Sequence, residues 1–233
     1  MNKHVKIPKI LHHVWLGKQQ IPNNLRKCVQ TCYDVQSEWK HMYWTDNNLP
    51  DMSFFKKEYN IDNNYARKSD LVRLMALYQY GGVYLDTDVE CIKPIDHLIE
   101  DYIFVVATEA GHPGKFNPNR EHINNAVIAS TKMNPVLLKL ITTVKENYKN
   151  IDIRDKTPLN YVARLAGPPV FNKLSRVIKN NKRAKVYEYQ YFYPLHYLDR
   201  TNVNEWQIPS NRKNLDRRTH LIHHFAASWY NQK

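Results

Sequence analysis

The first half of the chain alternates short apolar runs with amphipathic stretches, which predicts strands separated by helices. Residues 10–17 (ILHHVWLG) and 40–44 (KHMYW) are rich in strand-forming side chains, and a helical pattern covers residues 21–37 between them. Two further strands are predicted at residues 102–108 (YIFVVAT) and 123–130 (INNAVIAS). Strands that alternate with helices indicate an α/β fold, in which ligands bind beyond the carboxyl ends of the strands.

The second half continues this alternation. Helical patterns cover residues 134–148, 157–165 and 168–179, a strand-like run covers 186–193, and the segment 220–230 (HLIHHFAASWY) closes the chain. No internal repeat or low-complexity segment interrupts the pattern. The length of 233 residues therefore predicts one domain that spans residues 1–233.

Residues 65–94 combine a helix, a strand and a pair of acids. The apolar residues at helical spacing are Leu71, Leu74, Met75 and Tyr78. Gly81 and Gly82 end this helix, and residues 83–85 predict a buried strand before Asp86 and Asp88. If the extended conformation continues, both carboxylates project to the same side, where a divalent cation can bridge them to phosphate oxygens. The alternative is a turn with two solvated carboxylates.

The composition adds a basic character. A formal net charge of +12 and a pI of about 9.5 favour anionic partners such as nucleic acid, acidic membrane or phosphorylated substrates. The densest basic segments, 179–185 (KNNKRAK) and 212–218 (RKNLDRR), are each either a solvated face or a contact with an anionic surface. Nucleic-acid binding is not favoured, because the basic residues form no helix-turn-helix, RNP or zinc-finger pattern.

Cysteine usage and hydropathy bear on location. Cys28, Cys32 and Cys91 are an odd, sparse set that does not form a disulfide framework, and Cys28 and Cys32 are expected to pack in the core. No apolar run is long enough to span a bilayer, and the first ten residues are not a signal peptide. The sequence therefore predicts a cytoplasmic protein, and it leaves open peripheral association with an acidic membrane.

Four segments resemble a known family. They are residues 7–17 (IPKILHHVWLG), 69–89 (SDLVRLMALYQYGGVYLDTDV), 123–130 (INNAVIAS) and 222–229 (IHHFAASW). Together they resemble the DXD-type retaining glycosyltransferases, which include fungal initiating mannosyltransferases, vertebrate α-galactosyltransferases and bacterial capsule enzymes of polysaccharide biosynthesis. The clostridial glucosylating toxins are more remotely similar. The resemblance implies a GT-A fold, a Rossmann-like mixed central sheet flanked by helices. It also implies a nucleoside diphosphate sugar as donor, a hydroxyl of a glycan or glycolipid as acceptor, and Mn²⁺ or Mg²⁺ as cofactor.

The resemblance also implies a metal site. Asp88 corresponds to the direct ligand, and Asp86 lies near the sugar or ribose hydroxyls and the water shell of the metal. His223 resembles the histidine that closes such sites, with His224 and Ser228 as alternatives. A divalent cation at this position neutralises the charge that develops on a nucleoside diphosphate leaving group.

Further residues are expected to hold the donor. Asp70 and Arg73 resemble the pair that grips the transferred sugar, although the same spacing also fits an ion pair on a helix surface. The implied catalytic residues are Asp70, Arg73, Asp86, Asp88 and Asn125. The implied donor-binding residues are Val14, Trp15, Ser69, Asp70, Arg73, Tyr84, Asp86, Asn124, Asn125, Ser228 and Trp229. Within this set, Trp15 is either a stacking platform for the base or a core residue.

The chemistry of the sequence leaves two questions open. Glu109 is the nearest candidate nucleophile for a double displacement, but it is equally an ordinary loop acid. A metal-dependent nucleotide phosphohydrolase or nucleotidyltransferase also needs paired carboxylates. A two-metal site of that kind requires further clustered acids, which the sequence lacks.

Overall fold

The computed structural model describes residues 5–109, 122–150, 160–196 and 215–226. The strands in these ranges are β1 (Ile10–Val14), β2 (Lys40–Trp44), β3 (Gly82–Leu85), β4 (Val89–Cys91), β5 (Phe104–Thr108), β6 (Ile123–Ser130), β7 (Ala184–Tyr187) and β8 (Leu221–His223). The helices are α1 (Asn23–Val35), α2 (Lys56–Ile61), α3 (Tyr65–Tyr80), α4 (Asp96–Ile99), α5 (Pro135–Asn150), α6 (Asn160–Ala166), α7 (Pro168–Lys173) and α8 (Ser175–Asn180). Short 3₁₀ turns lie at Ser53–Phe55 and Tyr189–Tyr191.

Six strands form a mixed central sheet in the order β2-β1-β3-β6-β5-β7. β1 pairs in parallel with β2 and β3, and β5 pairs in parallel with β7. β6 runs antiparallel to both of its neighbours, so the other five strands share one direction and their carboxyl ends lie along one edge. The predicted α/β fold with a mixed sheet and flanking helices is confirmed.

The two faces of the sheet bury separate hydrophobic clusters. One cluster packs α3, α5 and α7 against side chains such as Val14 and Tyr84. The other packs α1 and α4 against Leu11 and Val83. Neighbouring strand residues thus point to opposite faces, which explains the long apolar runs in the central strands.

Helix α3 crosses behind the centre of the sheet and is buried along most of its length. Asn64 caps its first turn by accepting a hydrogen bond from the Arg67 amide at 3.1 Å. Gly81 (φ +65°) ends it, and Gly82 (φ +108°) then approaches β1 so closely that an added Cβ would lie 2.4 Å from the Ile10 carbonyl oxygen. Glycine is required at this junction because of both its dihedral angles and this contact.

Several predicted elements differ from the structure. The helix predicted over residues 168–179 is interrupted at Leu174, which separates α7 from α8. The strand predicted over 186–193 is shorter and earlier, and a 3₁₀ turn follows it. A second sheet, β4 with β8, lies outside the central one and had no counterpart among the predicted elements.

The expectation of unpaired cysteines is wrong. Cys32 in α1 and Cys91 in β4 form a disulfide with an S–S distance of 2.07 Å, and Cys28 is free and buried. Disulfides are typical of oxidising compartments, so cysteine usage no longer supports the predicted cytoplasmic location. Across the described segments, every helix is too short or too polar for a bilayer crossing.

Candidate active site

A tight turn brings the two aspartates together at the carboxyl end of β3. The extended conformation expected between Asp86 and Asp88 does not continue, because the Val89 amide donates to the Asp86 carbonyl at 3.0 Å and reverses the chain. β4 then pairs with β8, which places His223 opposite Val89. One ligand atom from each of Asp86, Asp88 and His223 lies within 4.8 Å of the others.

Asp88 and His223 form a buried pair. Nε2 of His223 lies 3.2 Å from Oδ1 of Asp88, and the Ala226 amide donates to the other carboxylate oxygen at 2.8 Å. Burial raises the pKa of Asp88, but the charge of His223 and these hydrogen bonds outweigh it and lower the pKa to about 2. Burial lowers the pKa of His223, and Asp88 reverses this, so the net shift is upward. Phe225 lies in the sequence between His223 and Ala226, the two residues that contact Asp88. It adopts φ +53°, a rare conformation for an aromatic residue.

The second candidate histidine points elsewhere. Nε2 of His224 lies 3.2 Å from Oε2 of Glu90, and both side chains are buried. The His224 backbone amide donates to the Asp88 carbonyl at 3.0 Å, so this residue contacts the site through its main chain. Of the two histidines, His223 is the one whose ring lies with the aspartates.

The donor set fits a divalent cation. Carboxylate oxygens are the preferred ligands of Mg²⁺ and Mn²⁺, and an imidazole nitrogen is an accepted ligand of transition metals. Asp88 and His223 are buried, while the side chain of Asp86 is 27% exposed. The arrangement therefore offers a cation two fixed ligands and a third group that is accessible to a substrate.

Arg73 connects α3 to the first aspartate. Its Nη2 lies 3.0 Å from Oδ1 of Asp70 and 3.1 Å from Oδ1 of Asp86, and its Nη1 donates to the Asn125 carbonyl at 2.7 Å. The guanidinium also lies over the Tyr84 ring at 4.4 Å. The side chains of Asp70 and Arg73 are only 9% and 7% exposed, which excludes an ion pair on a helix surface.

Asp70 is held in the same network. Asn125 donates to Oδ1 of Asp70 at 2.9 Å, and this is the same oxygen that Arg73 contacts. Burial raises the pKa of Asp70 to about 6, although Arg73 opposes this shift. Burial lowers the pKa of Arg73, but the neighbouring Asp86 and Asp70 carboxylates outweigh it, and the net shift is upward. Arg73 therefore stays charged at any pH at which the protein is folded.

Asp86 and the asparagines of β6 have further partners. The Tyr84 hydroxyl donates to Oδ1 of Asp86 at 2.6 Å. Asn124 accepts from the Ala126 amide at 2.8 Å and donates to Oε2 of Glu109 at 2.9 Å. The two asparagines within the predicted strand thus hold acidic side chains, Asn125 holding Asp70 and Asn124 holding Glu109.

The remaining predicted donor residues lie at the same edge of the sheet or outside the described residues. Val14 is buried at the end of β1, and Trp15 is half-buried with its indole N–H donating to the Gln19 carbonyl at 2.7 Å. Ser69 is half-buried in α3. Ser228 and Trp229 lie outside the described residues.

Tyr193 also belongs to this region. Its buried hydroxyl accepts a hydrogen bond from the Val127 amide at 2.9 Å, and its ring meets the His223 ring edge-on at 5.7 Å. Its only signal in the sequence is an aromatic cluster in residues 187–193, which fits core packing equally well. A role beside His223 could not have been predicted from that pattern.

The mixed central sheet with its flanking helices is the GT-A fold of glycosyltransferases. Residues 22–105 match the family described as the glycosyltransferase sugar-binding region containing the DXD motif. This match confirms the resemblance to the DXD-type glycosyltransferases that is seen in the sequence.

Curated relatives agree with this assignment. Inositol phosphoceramide mannosyltransferase 1 of Schizosaccharomyces pombe is 30% identical over 175 residues, which cover 70% of this chain and 49% of that protein. An uncharacterised glycosyltransferase of Acanthamoeba polyphaga mimivirus is 25% identical over 226 residues, which cover 86% of this chain and 84% of that protein. The chain spans only 38% to 52% of the length of three fission-yeast mannosyltransferases that it matches.

Solved structures share the fold. The PaToxG glycosyltransferase has a TM-score of 0.56 and 20% identity, with 75% of this chain and 71% of that chain covered. A glycosyltransferase involved in glycosylation of the major capsid of PBCV-1 has a TM-score of 0.50 and 14% identity, with 93% of each chain covered. At these identities the likeness concerns the fold alone.

Proposed function

We propose that this chain transfers a sugar from a nucleoside diphosphate donor to a hydroxyl of a glycan or glycolipid, with retention of configuration and with Mn²⁺ or Mg²⁺. The observation that carries the proposal is the convergence of Asp86, Asp88 and His223 beside the buried Arg73. We further propose that the whole span of residues 1–233 acts as one GT-A domain.

Each residue of the proposed metal site has a distinct task. Asp88 and His223 would hold the cation, which neutralises the developing charge on the leaving nucleoside diphosphate. The Ala226 amide fixes the Asp88 carboxylate, so this ligand is oriented before the substrate arrives. Asp86, the more exposed of the two acids, would complete the metal site through the water shell of the cation and would also contact the sugar or ribose hydroxyls.

The donor sugar would lie against the Arg73 network. Asp70 would accept hydrogen bonds from sugar hydroxyls, and Asn125 would donate to them. Arg73 holds the Asp70 and Asp86 carboxylates, with contacts of 3.0 and 3.1 Å. Together with Asp86, these groups can distinguish sugars by the positions of the hydroxyl groups on the ring. A buried polar network of this kind rejects an analogue that leaves a member unpaired.

The base and diphosphate would lie near the carboxyl end of β1, which Trp15 follows, and beside Ser69 of α3. Trp15 is half-buried, which leaves part of its indole available for stacking on a nucleobase. Val14, Ser69, Tyr84 and Asn124 complete the proposed pocket. Ser228 and Trp229 are proposed to cover the diphosphate.

The acceptor is proposed to be an anionic glycolipid. Curated relatives are named inositol phosphoceramide mannosyltransferases, which suggests mannose as the sugar and a phosphoinositol-containing lipid as the acceptor. The net charge of +12 favours such a substrate and peripheral association with an acidic membrane. The basic residues Lys182 and Arg183 precede β7 and so lie at the end of the sheet opposite to the site. They would therefore contribute to binding of neither the donor nor the acceptor.

Retention is proposed without a covalent intermediate on Glu109. That carboxylate is bonded to Asn124 at the end of β5, where it supports the asparagine that faces the pocket. A phosphohydrolase is the less favoured function, because the described part of the chain holds a single acidic and histidine cluster, whereas two-metal hydrolysis needs a second.

A donor screen tests the proposed function. Thermal shifts would be measured with Mn²⁺ and a panel of GDP- and UDP-sugars, and the best donor would be incubated with phosphoinositol lipid or oligosaccharide acceptors. The expected result is a metal-dependent shift with one donor and a glycosylated product whose anomeric configuration matches the donor. Release of free nucleotide with no sugar transfer to any acceptor would instead indicate a hydrolase.

A further inference from the structure

Adjacent histidines on β1 contact the two ends of β3. Nε2 of His12 lies 2.8 Å from the Gly81 carbonyl oxygen, and Nδ1 of His13 lies 3.0 Å from the Leu85 carbonyl oxygen. Both histidines are fully buried. Neighbouring residues of a strand point to opposite faces, so the two imidazoles contact β3 from opposite sides of the sheet.

These contacts extend a short ladder. β1 and β3 are paired through only two residue pairs, Leu11 with Val83 and His12 with Tyr84. Gly81 precedes this ladder and Leu85 follows it. The imidazoles therefore bond the carbonyl groups on either side of the backbone pairing.

The hydrogen bonds define the protonation of both rings. A carbonyl oxygen can only accept, so His12 Nε2 and His13 Nδ1 carry the protons. The Trp44 indole donates to Nδ1 of His12 at 3.1 Å, so that nitrogen is unprotonated. Burial lowers the pKa of His12 to about 4 and that of His13 to about 3. Both rings are thus neutral donors in the physiological pH range.

The His13 contact falls on the peptide group that carries Asp86. The carbonyl of this group, from Leu85, accepts from His13 of β1, and its N–H, from Asp86, donates to the Ala126 carbonyl of β6 at 2.9 Å. The peptide plane immediately before the acidic turn is therefore bonded on both sides by the two neighbouring strands. Rotation of this plane would swing the Asp86 side chain away from Asp88 and His223.

We infer that His13 is a positioning residue for the metal and donor site, whereas His12 anchors the remote start of the same strand. The inference rests on the proposed function, because it assigns His13 to the site that the function requires. His13 contacts neither metal nor substrate, and it acts by fixing the peptide plane from which Asp86 projects. Outer partners of this kind alter metal affinity by about 10-fold or more when they are removed.

Matched variants separate this role from general stability. His13→Leu removes one buried hydrogen bond, to the Leu85 carbonyl, and His12→Leu removes two, to the Gly81 carbonyl and from the Trp44 indole, so we expect His12→Leu to lose at least as much thermal stability. His13→Asn retains a side-chain donor near the position of Nδ1 and serves as the conservative variant. Amide hydrogen exchange of the metal-free proteins should rise at residues 85–89 in His13→Leu and at residues 80–83 in His12→Leu.

Mn²⁺ titration by calorimetry provides the second measurement. We expect His13→Leu to weaken Mn²⁺ binding about 10-fold, and His13→Asn and His12→Leu to stay within about 3-fold of wild type. Equal weakening in His12→Leu and His13→Leu, or wild-type exchange at residues 85–89 in His13→Leu, would overturn the inference. If the wild-type protein bound no Mn²⁺, the proposed function would fail, and the exchange pattern alone would decide the role of His13.

Discussion

Nη2 of Arg73 lies 3.1 Å from Oδ1 of Asp86, so a residue in the middle of α3 contacts the first acid of the metal-site pair. The same nitrogen lies 3.0 Å from Asp70. One guanidinium therefore holds two carboxylates in a buried site, where the loss of a partner leaves an uncompensated charge. The helix and the acidic turn consequently act as one unit.

The forked guanidinium group of Arg73 is expected to be essential for sugar transfer. Lys at this position supplies a point charge that cannot contact Asp70, Asp86 and the Asn125 carbonyl together. We expect Arg73→Lys to lower kcat with the best donor about 100-fold or more, measured under saturating donor.

Arg67→Lys is the matched control. Arg67 lies in the same helix and bonds both oxygens of Asp62 at 2.7 Å, away from the acidic turn. The control should lose stability by about 1–3 kcal/mol yet keep kcat within a few-fold of wild type. Wild-type turnover in Arg73→Lys would show that the contact with Asp86 has no role in the reaction.

Asp70 gives stability a pH dependence opposite to that of most carboxylates. Its pKa in the folded protein is raised to about 6, so the folded state binds the proton more tightly than the unfolded state does. The stability that this proton contributes is present below about pH 4 and is lost as the pH rises through about 6. From pH 4 to pH 7, wild type should lose about 2–3 kcal/mol relative to Asp70→Asn.

Urea denaturation at both pH values measures this difference. Asp101→Asn, which removes an exposed carboxylate, is the control for a general change in charge. A constant difference between wild type and Asp70→Asn across this range would contradict the raised pKa.

The disulfide between Cys32 and Cys91 should stabilise the protein substantially. The two residues are 59 apart in sequence, and closing a loop of this size is worth roughly 4 kcal/mol in the chain-entropy account. We expect reduction to lower the urea midpoint of wild type, while the double variant Cys32→Ser/Cys91→Ser responds to neither reductant nor oxidant. The prediction fails if wild type has the same midpoint in both conditions.

His223 and His224 should differ in their effect on metal binding. His223 lies 3.2 Å from Asp88, and His224 lies 3.2 Å from Glu90. His223→Ala should weaken Mn²⁺ binding by about 10-fold or more. His224→Ala should mainly lower stability, by about 1–3 kcal/mol, because it leaves the buried Glu90 with one partner fewer. Calorimetric titration and urea denaturation distinguish these outcomes, and the reverse pattern would reassign the ligand.

Elements with a local pattern can be predicted from the sequence. Helix α3 has apolar spacing and a glycine stop, and β1, β2 and β6 are apolar runs of ordinary strand length. β4 and β8 cannot be predicted in this way, because each has three residues and they pair across more than half of the chain. The pairing that brings His223 to the aspartates is therefore visible only in three dimensions.

The residues of the site can be predicted only where they lie close together in the sequence. The residues of the acidic turn and of segment 69–73 can be found by resemblance, since they form one continuous block of sequence. The spacing of Asp70 and Arg73 is the same in a surface pair and a buried one, so their burial could not be inferred. Disulfide connectivity is likewise invisible in a set of three cysteines. The roles of Ser228 and Trp229 stay predictions.

The most direct test is sugar transfer by Asp88→Asn. Asparagine keeps the shape of the side chain and removes the charge that a cation requires, and Asp101→Asn is the control at an exposed acid. Transfer of radiolabelled sugar from the best donor would be measured with Mn²⁺ and with EDTA. The account predicts that Asp88→Asn and EDTA-treated wild type each lose about 1,000-fold or more in rate, while Asp101→Asn is unchanged. Undiminished, metal-independent transfer by folded Asp88→Asn would contradict it.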